Sequence, residues 1–351
     1  MVTIVSLSVI IVAIYILSVI TDEFFVTSLD QISRAWKIPP DVAGASLMAM
    51  GSSAPELSIA VLALFKEGGT HSDVGIGTIV GSAVFNILVI TGISAIIRDA
   101  RVTLPAVARD TVFYLISIGF LLYAFWDGEI TLVESFFFIV LYAGYIAFLF
   151  LVPVGGELET SPAEEKEEKE ITEQKSRFQG IHNLIEKGIG FLAGDAETSY
   201  GRAFVVSIAL IAGLSWILVD SAIIFADSLG IPPVIVALTI LAGGTSAPDL
   251  IASIVVAKQG KGSMAVANAI GSNIFDILVC LGLPWMIALL FLDQPVIHVG
   301  TQDLLTSILI LVSTVIILFI FLFTDRLLTK KEGWCLLGIY VAYVLWTLSG
   351  G

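Results

Sequence analysis

Met50 to Leu57 reads M-G-S-S-A-P-E-L, and Gly243 to Leu250, 193 residues later, reads G-G-T-S-A-P-D-L. Each octet combines hydroxyl side chains, a proline and one carboxylic acid, and each lies inside a long apolar segment. Such groups are costly in a membrane, and chains retain them there mostly for function. The repetition indicates one site that is built by two related halves of the chain.

The composition places the chain among membrane proteins. Of its 351 residues, 57% are hydrophobic and 14% are charged, and the mean hydropathy is +0.98. Apolar runs of roughly 20 residues can cross a bilayer as helices, and the alternating pattern of a β-barrel is missing. We predict an all-α polytopic membrane protein with ten transmembrane helices. They cover about 2–28, 41–65, 74–97, 104–125, 130–152, 203–228, 233–257, 264–292, 301–323 and 334–350.

An acidic stretch divides these ten segments into two groups of five. Between Glu157 and Glu197 the chain holds 11 of its 31 acidic residues and five basic ones. This composition is typical of a solvated, partly disordered linker. We therefore predict a first five-helix repeat at 1–152, an acidic cytoplasmic linker at 153–200 and a second five-helix repeat at 201–351.

Three matching blocks occur in the same order in both halves. Ile38-Pro39-Pro40 matches Ile231-Pro232-Pro233, and the octets follow in register. Further on, G-S-A-V-F-N-I-L (81–88) matches G-S-N-I-F-D-I-L (271–278). Small residues that pack between helices would explain the glycines but not the paired prolines and acids. An internal duplication is the better interpretation.

The basic residues indicate how the two halves are oriented. With both termini outside, 16 of the 17 Lys and Arg residues fall on the linker side, and Lys66 alone falls outside. Basic residues are enriched on the cytoplasmic side of membrane proteins. We predict both termini outside, the linker in the cytoplasm, and two inverted repeats in the plasma (inner) membrane. Secondary transporters are commonly built in this way, with a binding site near the midplane between the repeats.

The proline of each octet removes one helical hydrogen bond. Pro55 offers no N–H to the carbonyl of Gly51, and Pro248 offers none to that of Gly244. We predict that helices 2 and 7 are broken there, because a carbonyl freed in lipid needs protein, water or an ion as its partner. Helical spacing places two hydroxyls of each octet on the side of its carboxylate. These are Ser52 and Ser53 with Glu56, and Thr245 and Ser246 with Asp249.

The later pair of blocks adds further polar groups. Ser82 and Asn86 are four residues apart, as are Ser272 and Asp276, so each pair lies on one helical face. Together with the two octet carboxylates, Asp276 would bring the formal charge to −3 in segments that contain no Lys or Arg. Bound cations or protonation must neutralise this charge. Because the octets offer only oxygen ligands, they favour a hard cation such as Ca²⁺.

Other interpretations of the octets stay open. Ser and Thr in membrane helices often bond to their own backbone, which would make these hydroxyls structural. A cation channel could use the same oxygens, although channel selectivity normally comes from rings of subunits. An intramembrane hydrolase could use the paired acids, but neither octet has a His or Lys to activate its serines. We expect a transporter and not an enzyme, with no cofactor, no nucleic-acid partner and no obligate protein partner.

The repeated blocks resemble the two α-repeats of the sodium/calcium exchanger superfamily of cation/calcium antiporters. G-S-S-A-P-E-L (51–57) and G-T-I-V-G-S-A-V-F-N-I-L (77–88) are similar to the first repeat. The stretches A-L-T-I-L-A-G-G-T-S-A-P-D-L-I-A-S (237–253) and V-A-N-A-I-G-S-N-I-F-D-I-L (266–278) are similar to the second. The resemblance implies a secondary active antiporter that exchanges Na⁺ for Ca²⁺ by alternating access, in which the first and sixth helices slide.

The resemblance also implies which residues hold which ion. Glu56 and Asp249 would be the principal Ca²⁺ ligands, helped by oxygens of Ser52 and Thr245. The Na⁺ or shared ligands would be Ala49 and Ala242, through their carbonyls, and Ser53, Ser82, Asn86, Ser246, Ser272 and Asp276.

Two details bear on the coupling ion. Asp249, where Glu is the alternative, and the following S-N-I-F-D resemble the potassium-dependent sodium/calcium exchangers, in which the position of Asp276 is tied to K⁺. Because potassium-independent prokaryotic relatives can also carry Asp at that position, K⁺ co-transport stays open. A proton-coupled Ca²⁺ antiporter is the alternative function, although the G-N-A-x-E octet typical of that branch is missing from both copies.

Overall fold

The structure, a computed structural model, is helical throughout both halves of the chain. It describes residues 1–37, 47, 49–66, 71–98, 100–101, 104–151, 179–258, 262–291, 295–299, 302–325 and 327–349. In the first half and the linker the elements are α1 (Val2–Val19), π1 (Ile20–Val26), α2 (Thr27–Ala35), α3 (Ala49–Ser52), α4 (Ala54–Phe65), α5 (Ser72–Phe85), π2 (Asn86–Ile90), α6 (Thr91–Ile97), β1 (Ala100–Arg101), α7 (Leu104–Ala124), β2 (Glu129–Ile130), α8 (Leu132–Leu151) and α9 (Gln179–Ala193).

The second half repeats this pattern of long helices interrupted at their middle. Its elements are α10 (Tyr200–Leu229), α11 (Pro233–Val236), π3 (Ala237–Leu241), α12 (Ala242–Thr245), α13 (Ala247–Lys258), α14 (Gly262–Phe275), π4 (Asp276–Leu281), α15 (Gly282–Phe291), β3 (Ile297–His298), α16 (Gln302–Asp325), β4 (Leu327–Leu328) and α17 (Lys330–Leu348).

Six helical segments of the described residues are long and apolar enough to cross a membrane. They are Val2–Ala35, Ser72–Ile97, Leu132–Leu149, Tyr200–Leu229, Ala265–Phe291 and Leu304–Phe323. A seventh results if the bent pair Pro233–Thr245 and Ala247–Lys258 forms one span. The chain is therefore a helical membrane protein, as predicted, while the total of ten spans stays a prediction.

The two halves interpenetrate. Helix α5 of the first half packs against π3 and α12 of the second, and α10 of the second half lies against α1 and α4 of the first. The largest apolar core accordingly mixes buried residues of both halves, such as Ile79 and Val84 with Ile270 and Ile274. This arrangement brings both octets into one interior.

A glycine permits the closest of these approaches. A Cβ atom at Gly81 would collide with the Leu238 carbonyl and would lie 2.7 Å from the Ala242 side chain. At Gly271, the counterpart of Gly81 in the second repeat, an added Cβ would meet no atom within 4 Å. The two repeats are therefore equivalent in sequence but unequal in packing.

Two short antiparallel ladders join the halves. Ala100 and Arg101 pair with Leu328 and Leu327, while β2 pairs in the same way with β3. The sequence analysis did not foresee these strands, because two-residue ladders leave no periodic pattern to detect.

The end of the linker forms a helix that the sequence analysis did not predict. This is the 15-residue helix α9, in which Ile189 and Ala193 are buried against the transmembrane helices. The acidic run at 157–173 lies outside the described residues, as do Ile38, Pro39 and Pro40 of the first matching block.

Candidate cation site

Each octet interrupts its helix at the same place. Helix α3 ends at Ser52 and α4 begins at Ala54, while α12 ends at Thr245 and α13 begins at Ala247, so one residue separates the helices of each pair. The axes of the second pair differ by 44°. Pro55 and Pro248 occupy the second position of the helix that follows, where a missing N–H leaves no helical bond unmade. The chain thus turns at Ser53 and Ser246.

The backbone carbonyl one turn before each break is shared by two donors. The Ala49 carbonyl accepts from the backbone N–H of Ser53 at 3.1 Å and from the hydroxyl of Ser52 at 3.3 Å. The Ala242 carbonyl accepts equivalent bonds, from the N–H of Ser246 at 3.2 Å and the Thr245 hydroxyl at 3.3 Å. In this state, both predicted carbonyl ligands are therefore satisfied within their own helices.

Three carboxyl groups meet beside these breaks. Glu56 and Asp276 are 2% and 1% exposed, whereas Asp249 is half-buried. Asp249 interacts electrostatically with Glu56 and with Asp276, which places the three acids in one cluster. The Glu56 oxygen Oε2 is fully buried and has no hydrogen-bond partner. A carboxylate in that position gains its stability from a nearby cation or a bound proton.

Hydroxyl groups connect the carboxyl groups across the repeats. Thr245 of the second repeat hydrogen bonds to Glu56 of the first, and Ser53 of the first bonds to Asp276 of the second. The Ser82 and Ser246 hydroxyls are 2.6 Å apart. The structure thus brings together residues that are more than 160 positions apart in the chain.

Asn86 lies at the centre of the repeat interface. Its Nδ2 donates to the Ser272 hydroxyl at 3.3 Å and to Oδ1 of Asn273 at 2.9 Å. Its Oδ1 is buried and has no hydrogen-bond partner. The π segments π2 and π4 begin at Asn86 and at its counterpart Asp276. Such π turns are frequent at functional sites.

Asn273 is a site residue that the sequence analysis missed. Its Nδ2 donates to the Ala83 carbonyl at 3.2 Å and to the Tyr114 hydroxyl at 3.0 Å, so it joins both repeats to α7. A signal was present, because Asn273 occupies the position that Ala83 holds in the first repeat. An amide that replaces an alanine in an apolar helix indicates a polar contact.

The two cysteines have different surroundings. Cys280 is buried at the site, with Sγ 3.7 Å from Oδ1 of Asp276 and 3.8 Å from the Ser53 carbonyl. Cys335 is exposed.

Some other membrane acids have separate partners. Asp220 forms an ion pair with Lys66, whose ammonium group also lies 5.8 Å from the Trp216 ring centre. Asp22 of π1, by contrast, interacts electrostatically with Asp249, so it borders the cluster.

The cluster does not form a closed metal cage by itself. Among the described residues, no three His, Cys, Asp or Glu side chains converge closely enough to hold a metal ion. A cation at this place would therefore need hydroxyl, amide or carbonyl oxygens in addition to carboxylates.

The site is covered unequally by the two repeats. Every residue from Val74 to Phe85 in α5 is buried, whereas Asn268 of α14, the counterpart of buried Thr78, is exposed. Asp249, which is half-buried, lies on the same repeat as Asn268. The second repeat is therefore the more exposed of the two at these positions.

Comparison with known proteins agrees with this geometry. The family described as sodium/calcium exchanger protein matches residues 5–151 and 201–349, which leaves out only the linker and the chain ends. The chain belongs to the sodium/calcium exchanger family. The resemblance inferred from the paired octets is thereby confirmed.

Curated relatives place the chain near the potassium-dependent branch. It is 28% identical to the human sodium/potassium/calcium exchanger 4, over 95% of this chain and 79% of that protein. It is 30% identical to the human sodium/potassium/calcium exchanger 5, over 79% of this chain and 69% of that protein.

Two solved structures share the fold. The sodium-calcium exchanger NCX_Mj, soaked with Na⁺ and Sr²⁺, matches with a TM-score of 0.59 and 21% identity over 98% of both chains. The H⁺/Ca²⁺ exchanger CAX matches with a TM-score of 0.74 and 13% identity, over 97% of this chain and 82% of that one.

Proposed function

We propose that the chain is a secondary active antiporter that exchanges Na⁺ for Ca²⁺ across a membrane. The observation that carries this proposal is the cluster of Glu56, Asp249 and Asp276 between two broken helices. No Lys or Arg occurs in residues 49–65, 242–257 or 262–291 to balance their charge. The transported cations then neutralise this negative charge. Without them, exposing the charged cluster first to one side of the membrane and then to the other is energetically costly.

We propose that Ca²⁺ is held by Glu56 and Asp249 with oxygens of Ser52 and Thr245. The direct bond between Thr245 and Glu56 supports this set, because it already places a hydroxyl of one repeat beside the carboxylate of the other. Na⁺ would use Ser53, Ser82, Ser246, Ser272, Asn86 and Asp276 with the carbonyls of Ala49 and Ala242. Those carbonyls become available when the Ser52 and Thr245 hydroxyls rotate away from them.

Coupling follows from exclusive occupancy. Ca²⁺ and a full set of Na⁺ require the same oxygens, so one species must leave before the other binds. The protein then changes its access only when the cluster is neutralised, because a bare −3 site is costly in low dielectric. Either ion can thus drive the other against its gradient.

We propose K⁺ co-transport as an additional property. The relatives named sodium/potassium/calcium exchangers support it. The fully buried Asp276, bonded to Ser53, is the position at which we expect K⁺ to act.

A proton-coupled Ca²⁺ antiporter is the second candidate. The buried Glu56 oxygen that lacks a partner favours it, since a bound proton would also relieve that charge. The shared fold with the H⁺/Ca²⁺ exchanger CAX is compatible with this alternative.

We propose ten transmembrane helices in two inverted repeats, with breaks at the prolines of helices 2 and 7. Helices α7 and α17, of 21 and 19 residues, supply two spans beyond the seven identified by length and apolarity. Helices α3 and α4 together form the remaining span, which is helix 2, the first of the two broken helices. Both termini lie outside the plasma (inner) membrane in this arrangement, and the linker lies in the cytoplasm. The more exposed side of the site, at α13 and α14, then faces the cytoplasm.

One transport experiment tests these proposals together. We would measure Ca²⁺ uptake into proteoliposomes that carry a Na⁺ gradient, with K⁺ present or absent and with or without a proton ionophore. We expect Na⁺-driven uptake that survives the ionophore and rises with K⁺. Uptake that requires a proton gradient and does not depend on Na⁺ would establish the proton-coupled Ca²⁺ antiporter instead.

Two substitutions test the ligands in the same assay. Glu56→Gln and Asp249→Asn remove one charge each without changing shape, and we expect at least about a hundredfold loss of exchange, because each group contacts the ion. Asp30→Asn is the control, since Asp30 forms a partly exposed pair with Arg34 away from the cluster. Near-normal uptake by either ligand variant would refute the assignment.

A further inference from the structure

Helix α9 at the end of the linker is held to the transmembrane helices by one side. Ile189 and Ala193 are buried there, and a Cβ atom added at Gly190 would lie 3.9 Å from the Phe24 ring. Nε2 of His182 is 3.8 Å from a carboxylate oxygen of Glu23. These contacts fix α9 beside π1 and α10.

A second side of α9 is apolar and uncovered. The side chains of Leu184, Phe191 and Leu192 are 73%, 84% and 51% exposed. Leu184 and Phe191 are seven residues apart, so they project from the same face. Exposing such side chains to water is unfavourable, whereas lipid accommodates them.

The third side of α9 is polar. Asn183 and Glu186 are exposed there, about 80–160° around the helix from Leu184 and Phe191. A helix with one charged face and one face of Leu and Phe has the composition of helices that lie in the plane of a membrane surface.

The connection to α10 places α9 at that surface. Gly194, with φ of 78°, ends the helix, and Arg202 at the start of α10 donates to the Leu192 carbonyl at 2.9 Å. Val205 and Ile208 in the next turns of α10 are exposed, on a helix that crosses the membrane. The uncovered face of α9 thus continues the lipid-facing surface of α10. Tyr200, partly exposed between them, is a residue type enriched at membrane interfaces.

We propose that α9 is an interfacial helix on the linker side, with Leu184, Phe191 and Leu192 inserted into the phospholipid bilayer. Asn183 and Glu186 face the water. The occupant of the uncovered face is lipid and not another protein, because the face adjoins the lipid-exposed start of α10. This assignment depends on the chain being a membrane protein and not on which ions it transports.

A fluorescence experiment on the full chain tests the proposal. In a Cys335→Ser background, which leaves buried Cys280 as the remaining thiol, single cysteines replace Phe191, Glu186 or Ile208. Each is labelled with the environment-sensitive fluorophore NBD and reconstituted into liposomes of phosphatidylcholine and phosphatidylglycerol. Quenching is then measured with doxyl-labelled lipids and with aqueous iodide.

We expect lipid quenching at position 191 to exceed that at position 186 by at least about twofold, with the reverse order for iodide. The label at position 208 is the reference, because it must be quenched by doxyl lipids in any correctly inserted sample. If position 208 responds to lipid while position 191 responds only to iodide, α9 is not an interfacial helix. Equal quenching of positions 186 and 191 by both agents would contradict the proposal in the same way.

Discussion

At the scale of single residues, the two repeats differ at the positions that matter for charge and hydrogen bonding. The second repeat has Asp276 at the position that corresponds to Asn86, and Asn273 at the position that corresponds to Ala83. Asn273 bonds to the carbonyl of Ala83 and to Asn86. The asparagine at position 273 therefore creates a direct contact between the repeats. Because Asp276 takes the place of Asn86, the second repeat contributes one carboxylate more to the cluster than the first does.

Removing the Asn273 amide tests this contact. Asn273→Leu removes the hydrogen bonds of Asn273 to the Asn86 amide, the Ala83 carbonyl and the Tyr114 hydroxyl in an apolar interior, which costs roughly 1–3 kcal/mol. We expect a lower thermal unfolding midpoint of the detergent-solubilised protein. Asn268→Leu, on the exposed side of the same helix, is the matched control and should leave the midpoint nearly unchanged. Equal midpoints for both variants would show that the Asn273 network does not stabilise the fold.

At the scale of elements, broken helices and close crossings position the site. The short helices α3 and α12 end just before Ser53 and Ser246, where the chain turns. Helices α4 and α13, which carry two of the carboxyl groups of the site, begin directly after these turns. Helix α5 approaches π3 closely at Gly81. This crossing keeps Ser82 within reach of Ser246.

Adding one methyl group at this crossing tests the approach. Gly81→Ala forces α5 away from π3, and we expect a loss of roughly 1–3 kcal/mol in stability from overpacking, together with reduced exchange. Gly271→Ala is the matched control in the other repeat, where the methyl group has space. It should be neutral or stabilise the helix by about 1 kcal/mol at most. Unfolding midpoints and Na⁺-driven Ca²⁺ uptake of both variants provide the comparison, and equal effects would contradict the packing argument.

At the scale of the whole molecule, the two repeats differ in how far their matching helices are exposed. Thr78 and its neighbours in α5 are buried, whereas Asn268, the counterpart of Thr78 in α14, is exposed. With the predicted orientation, this asymmetry leads us to expect a state that is open toward the linker side of the membrane.

Cysteine labelling can determine the open side. In the Cys335→Ser background, we expect Asn268→Cys to react with a membrane-impermeant thiol reagent in inside-out vesicles, at least about tenfold faster than Thr78→Cys, because buried thiols are inert. In right-side-out vesicles the Asn268→Cys variant should react slowly. Faster reaction of Thr78→Cys than of Asn268→Cys in inside-out vesicles would place the opening on the other side.

The sequence by itself determined the class of protein and the polar residues of the site. Apolar runs require helices in lipid, and the paired octets carry acids and prolines that such helices do not tolerate without a reason. These signals are local, so Glu56, Asp249 and Asp276 could be named from spacing alone. The comparison with the family was needed only to confirm the superfamily.

The tertiary structure alone decided how those residues are partnered. The bonds from Asn273 to Tyr114 and the pair of Lys66 with Asp220 join segments far apart in the chain, and no periodic pattern reports such contacts. Likewise, the side of α9 that packs against π1 depends on where α10 begins. Packing also made the repeats unequal, because a Cβ atom added at Gly81 would collide with the Leu238 carbonyl, whereas one added at Gly271 would meet no atom within 4 Å.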